Sequence, residues 1–256
     1  MTKTTARAWV LLPAVALLAA SCTPPNPLER LRGQLERYPQ YSVILQDMKE
    51  EGSFSTDYFH QYRVVTGEPA AAAGATGTEA AEGEEAPEVT FTDDLLDFER
   101  VPKSVFRRYE PYLGMVILSK GEDGQVADAQ FPPGYQYVGN ERYGRWRSDA
   151  SGGSFWEFYG KYALMSHLFG TFGRPVYRSD WGSYRTARQS GRPYFGSQRQ
   201  YGTQGSYTKT TNPTFYERQK VRQARSNERF SRKVRDRTRR SSMSGTRSRS
   251  SGRGGK

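Results

Sequence analysis

Side chains that commonly perform chemistry are few in this sequence and poorly grouped. The two histidines are His60, in a stretch typical of a strand, and His167, among aromatic residues, and both positions favour structural roles over catalysis. Asp93, Asp94 and Asp97 lie close together, but a carboxylate cluster without an identifiable partner is usually a solvated feature. The motifs of serine hydrolases, zinc peptidases, Cys/His metal sites and phosphate-binding loops are absent. The sequence therefore favours a protein that is not an enzyme and needs no cofactor or metal.

Cations near the carboxyl end are the most numerous candidate binding groups. Residues 173–256 contain 22 Lys or Arg against four acidic residues, a net charge of +18, so the remaining residues carry −7 of the overall +11. Arginine pairs bidentately with phosphate and carboxylate, and guanidinium and tyrosine groups stack on rings. The cations of one helical stretch are therefore predicted to bind an anion: Arg218, Arg222, Arg225, Arg229, Arg232, Lys233, Arg235, Arg237, Arg239 and Arg240.

Several partners fit this basic tail at the level of sequence. Anionic lipid headgroups, a phosphorylated polymer of the cell envelope and an acidic protein all offer the required charge. In an intracellular protein the same tail would indicate nucleic-acid binding, whereas an exported protein normally meets little nucleic acid. A solubilising tail with no specific partner is an open alternative, as is a contact with the chain's own acidic segment at 67–87.

The only cysteine, Cys22, follows a segment typical of a secretory signal. Lys3 and Arg7 precede an apolar run at 8–20, and these 13 residues are too few to span a hydrocarbon core. Because Cys22 is the only thiol, no internal disulfide can form in the chain.

The four residues Ala19-Ala20-Ser21-Cys22 resemble the lipobox of bacterial lipoprotein precursors, although that family more often has Leu where Ala19 stands. The resemblance covers residues 1–22. It implies removal of residues 1–21 and acylation of Cys22, so that a lipid holds the protein to a membrane on its periplasmic or extracellular face. In a bacterium with two membranes, Thr23 in place of Asp implies transport to the outer membrane.

The segment after the anchor predicts a small α+β domain over residues 22–130. Asn26 and Pro27 suit the start of a helix, and alternating apolar residues from Tyr41 and again from Tyr58 predict a hairpin. An acidic Ala/Glu-rich loop at 67–87 interrupts the domain. We expect a short mixed or antiparallel sheet of four or five strands with two or three helices.

The rest of the chain is predicted to be less regular. Residues 131–172 are rich in Gly and Tyr and contain an aromatic stretch at 154–172, which predicts a helix that packs internally or, alternatively, lies on the membrane surface. Residues 173–256 are expected to be largely disordered, apart from a helix over about 214–240 that Asn212 and Pro213 could start.

Overall fold

A long β-hairpin forms the centre of the molecule. The computed structural model of the chain describes residues 24–52, 55–70, 89–162, 165 and 175–247. Strand β1 (Gln40–Glu51) pairs antiparallel with β2 (Asp57–Pro69), as the sequence predicts. Successive side chains of a strand point to opposite faces, so Val43 and Leu45 lie on one face of the sheet and Ile44 lies on the other.

Four further strands extend this sheet to six, one or two more than predicted. They are β3 (Val89–Leu95), β4 (Glu99–Val101), β5 (Val116–Lys120) and β6 (Val126–Ala127). The strand order is β3-β2-β1-β5-β6, with β4 also on β2, and each pairing is antiparallel. The α+β fold class is therefore confirmed.

Two helices cover one face of the sheet, and the first begins where the sequence places it. Helix α1 (Pro27–Leu35) has Asn26 as its N-cap, whose Oδ1 accepts a hydrogen bond from the Leu28 N–H at 3.2 Å. Helix α2 (Lys103–Tyr109) buries Phe106 and Tyr109. Together with the Val43 face of β1 they form the first core cluster.

The second face is covered by residues beyond 130. Strands β7 (Gly144–Ser148), β8 (Ser154–Phe158) and β9 (Val176–Tyr177) form a three-stranded antiparallel sheet. Val65, Tyr143 and Tyr184 share the second core cluster, although they come from three different predicted segments. The helices that follow are α3 (Arg178–Gln189), α4 (Ser206–Thr211) and α5 (Pro213–Arg247).

Two local predictions need correction between residues 67 and 172. Residues 67–69 belong to β2 and not to the acidic loop, because Gly67 pairs with Gln40 on one side and Phe91 on the other. Residues 154–158 form a strand and not the start of an aromatic helix. There Trp156 lies opposite Trp146 with ring centroids 5.2 Å apart. Aromatic residues suit such cross-strand pairs, which outweigh the helical spacing.

The prediction of a largely disordered tail from residue 173 is also wrong for most of its length. Residues 175–247 are described, and four of the aromatic residues in this segment are buried: Tyr184, Tyr194, Tyr201 and Phe215. These rings supply apolar surface for packing, although the average composition of the segment is rich in Arg and Gly. The predicted helix at 214–240 is confirmed and continues to Arg247, whereas residues 71–87, 166–172 and 248–256 lie outside the described residues.

Candidate anion-binding surface

Helix α5 is fixed to the domain at its first turn. Phe215 is buried in the first core cluster, and the Tyr216 hydroxyl donates a 2.7 Å hydrogen bond to the Thr203 carbonyl. Just before the helix, the Asn212 amide donates to the carbonyl of Gln46. Gln46 stands at a register shift between β1 and β2, where an extra residue leaves backbone groups without a ladder partner. The side chain that precedes α5 therefore supplies a hydrogen-bond donor to the β1 backbone at this register shift.

The first two predicted cations of α5 pair with carboxylates of β1. Arg218 Nη2 lies 2.6 and 2.7 Å from the two carboxylate oxygens of Asp47, whose side chain is 12% exposed. Arg222 pairs with the Glu50 carboxylate, and its Nη2 donates to the Glu50 carbonyl at 2.9 Å. These two arginines hold the helix against the domain and are not free to bind another anion.

Beyond Arg222 the helix leaves the domain. Every residue from 217 to 240 is exposed, and Phe230 is 69% exposed. At 1.5 Å per residue the 35 residues of α5 span about 52 Å, of which the first three turns contact the domain. From Arg218 to Arg240 the helix carries 11 cations and two acidic residues, a net charge of +9.

Much of this charge lies along one face of α5. With 100° between successive residues, six cations fall within an arc of about 80°. We call these six residues the basic stripe: Arg218, Arg222, Arg225, Arg229, Lys233 and Arg240. The opposite face carries mainly uncharged residues, including Phe230 and Val234. The stripe thus starts at the ion pairs with β1 and continues along the projecting helix.

The predicted cations therefore divide into two groups. Arg218 and Arg222 pair with the domain, and Arg232 pairs with Glu228 one turn earlier, as the i,i+4 spacing predicts. Arg239 also has an interaction. Within the described ranges, the remaining six have no ion-pair partner: Arg225, Arg229, Lys233, Arg235, Arg237 and Arg240. Asp236 and Arg240 are also four residues apart, but no ion pair joins them among the described residues.

A groove lies where α5 leaves β1. Its volume is about 820 Å³, and it is lined on the strand side by Glu50 and Glu51 and on the helix side by Arg225 and Arg229. The sequence does not reveal Asp47 or Glu50 as partners of the helix. Arg218 is 171 residues away from Asp47 in the chain, so no local pattern links them.

His60 and Asp93 both lie in strands of the large sheet and contact neighbouring side chains. His60 is fully buried, with Nδ1 3.0 Å from the Tyr62 hydroxyl, and burial lowers the pKa of its imidazole to about 3. The Asp93 carboxylate pairs with Arg63 on the neighbouring strand. In the part of the chain that the structure describes, no three His, Cys, Asp or Glu residues are grouped to hold a metal ion. His167 lies outside that part.

Cys22 and the predicted signal at 1–21 also lie outside the described residues. Within the described ranges, no helix combines the length and apolar character needed to cross a bilayer. Comparison with known proteins gives no match to a family model, to a curated protein or to a solved structure.

Proposed function

We propose that this protein is an interaction module of the bacterial cell envelope, held to a membrane by acyl groups on Cys22. Its sheet domain presents helix α5, and the cations of the basic stripe beyond Arg222 bind an anionic partner. The protein has no enzymatic role in this proposal. It acts at the periplasmic or extracellular face, on the outer membrane where there are two membranes. The observation that carries the proposal is the charge of +9 on an exposed helix whose domain supplies carboxylates only for Arg218 and Arg222 among the described residues.

The contacts at the base of α5 indicate what the stripe recognises. Asp47 and Glu50 already hold the first two guanidinium groups, so carboxylates suit this face of the helix. Arg225 and Arg229 follow at i+3 and i+7 from Arg222 and are exposed. An acidic protein segment or an anionic surface that continues the line of Asp47 and Glu50 would complete it.

A second candidate function is binding of a polyanion, such as a phosphorylated surface polymer or, alternatively, a nucleic acid. The alignment of the unpaired cations favours it, since Arg225, Arg229, Lys233 and Arg240 follow one line of about 22 Å at 1.5 Å per residue. Such a ligand would release counterions on binding, and its affinity would fall steeply with salt.

The test compares two quadruple variants of the full-length protein. The first, R225Q/R229Q/K233Q/R240Q, removes four unpaired cations of the basic stripe. The second, K103Q/R108Q/R192Q/K209Q, removes four exposed cations elsewhere and gives the same net charge. Binding to polyphosphate and to vesicles containing phosphatidylglycerol is measured as a function of salt.

If the basic stripe binds polyphosphate, affinity falls less steeply with salt in the stripe variant. The magnitude of the slope of log affinity against log salt should decrease by about 3 in that variant and stay almost unchanged in the matched variant. The same slope change in both variants would show that net charge alone acts and would contradict the proposal. Unchanged binding in the stripe variant would refute both functions.

The anchor is tested separately, with wild type and Cys22→Ser expressed in a bacterial host. We expect wild type alone to lose residues 1–21, to gain acyl mass and to fractionate with membranes. Intact mass and fractionation identical in the two proteins would contradict the lipid anchor. The Arg-rich helix would then be interpreted as a nucleic-acid binder.

A further inference from the structure

A second cavity lies on the opposite face of the sheet from α5. It has a volume of about 540 Å³, within the range of small-molecule sites, and lies between helix α3 and the short 3-10 turn Tyr135–Tyr137. The loop after β5 closes a third side with Glu122 and Asp123. The proposed function does not use this cavity.

Aromatic rings make up much of its wall. Tyr135, Tyr143 and Tyr184 are each at most 3% exposed, and Trp181 lies beside them. Burial raises the pKa of each of these tyrosines above its usual value, so their hydroxyls stay protonated and neutral. The wall therefore combines aromatic side chains with neutral polar groups.

Two arginines of α3 lie at the cavity, three residues apart and on the same side of the helix. The Arg185 guanidinium lies 4.8 Å from the centre of the Trp181 ring, and Arg188 Nη1 donates to the Tyr184 hydroxyl at 3.0 Å. Neither has a carboxylate partner among the described residues. These contacts orient both guanidinium groups and leave most of their donors unused, because each guanidinium has five N–H groups.

The nearby carboxylate of Glu122 does not neutralise them. Asn140 donates to it at 2.8 Å and Arg142 at 3.2 Å, and the Tyr143 hydroxyl also donates to it. Asp123 accepts the Gln125 N–H and keeps further acceptor capacity. The cavity thus has a cationic side at α3 and an acceptor side at the loop after β5.

Side-chain amides complete the polar lining. Gln40, Gln136 and Asn140 line the cavity, and Gln40 Nε2 donates to the Tyr143 hydroxyl at 3.0 Å. An amide can donate and accept at once, which is the pattern that hydroxyl groups of a sugar require. Convergent polar groups beside aromatic side chains are typical of sites that fix the orientation of a small ligand.

We propose that this cavity binds a phosphorylated monosaccharide, with the phosphate on Arg185 and Arg188 and the sugar hydroxyls on the amides and Asp123. Arginine suits the phosphate because its planar fork meets two oxygens at once. The volume is sufficient for one phosphorylated sugar unit, either free or at the end of a polymer.

The test uses the full-length protein in detergent and isothermal titration calorimetry with glucose 6-phosphate, glucose and inorganic phosphate. We expect glucose 6-phosphate to bind more tightly than either part alone. R185Q/R188Q should weaken it at least about tenfold, since charge-assisted hydrogen bonds are lost. Arg192→Gln, an exposed cation just after α3, serves as the matched control and should bind as wild type does.

Arg188 also contacts Tyr184 and lies near Phe131, so the double variant could lose its fold. R185Q alone changes an exposed side chain and should still weaken glucose 6-phosphate several-fold. No binding of glucose 6-phosphate up to about 10 mM would overturn the proposal. Inorganic phosphate binding as tightly as glucose 6-phosphate would also overturn it, because a bare anion site needs no sugar. Equal affinity in wild type and R185Q would exclude α3 as the phosphate-binding element.

Discussion

The sheet domain and the projecting part of helix α5 use the same side chains in different ways. In the domain, many cations pair with carboxylates: Arg30 pairs with Glu99, and Arg100 pairs with Asp57. Between Arg222 and Arg247 the only acidic residues are Glu228 and Asp236, and cations accumulate around them. The difference comes from the supply of acids, since both regions are rich in arginine.

Apolar residues show the same contrast. Leu45 in β1 is fully buried, whereas Phe230 on α5 is 69% exposed. A helix that is polar on most of its surface has little packing to stabilise it and depends on side-chain pairs or on a partner. The domain is therefore stabilised by its cores, whereas the projecting part of the helix has no such packing among the described residues.

The largest expected effect comes from opening a cavity in the domain. Leu45→Ala should lower the free energy of unfolding by about 2–5 kcal/mol, because the surrounding side chains cannot fill the space. Phe230→Ala, at an exposed position, should change it by no more than about 0.5 kcal/mol. Urea denaturation of both variants tests this contrast. An equally large loss for Phe230→Ala would mean that the projecting helix packs on something, and the contrast would fail.

Signals that act within a few residues explain which helices and strands the sequence predicts. The Asn26 cap, the alternation from Tyr41 and the Asn212-Pro213 start each act within a few residues, and the elements they predict are present. The strand at 154–158 is different. A run of aromatic residues fits both a buried helix and a strand, and only the pairing of Trp146 with Trp156 decides between them.

Non-local contacts explain what the sequence does not predict. Residues 175–211 fold because scattered rings such as Tyr184 and Tyr194 reach the second core cluster, although the average composition of the segment is that of a disordered chain. In the candidate anion-binding surface, the cations are visible in the sequence. Their division into paired and unpaired groups depends on Asp47 and Glu50, which lie 171 and 172 residues from the arginines they bind.

An intermediate effect is expected from pH, and it should act on the domain. Folded His60 stays neutral down to about pH 3, because burial lowers its pKa, whereas in the unfolded chain its imidazole takes up a proton near the usual histidine pKa of 6.5. The unfolded state therefore binds more protons between pH 6.5 and 3, and stability falls as the pH drops through that window. Protonation of His60 in the unfolded chain lowers the free energy of unfolding by about 1.4 kcal/mol for each pH unit in this window. His60→Phe should remove this slope, as measured by urea denaturation at pH 6, 5 and 4.

Helicity and core fluorescence are measured together in both proteins. Acid should unfold the domain of the wild type at a higher pH than that of His60→Phe, and the helix should show no separate transition. An identical pH dependence in the two proteins would mean that His60 is not the group that makes the domain acid-sensitive.

The smallest effects are expected at the ion pairs of α5, and they locate the boundary between the two regions. Asp47→Asn removes the main partner of Arg218 and should cost about 1 kcal/mol, less than a fully buried pair because Arg218 is 42% exposed. Glu228→Gln breaks a surface i,i+4 pair with Arg232 and should cost about 0.3–0.5 kcal/mol. Urea denaturation gives both values, and trypsin cleavage after Arg218 and Arg222 should rise only in Asp47→Asn.

If the two variants lose equal stability and are cleaved alike, the base of α5 is no better anchored than its exposed half. The boundary would then lie at Phe215, and Arg218 and Arg222 would belong to the binding surface with the rest of the basic stripe.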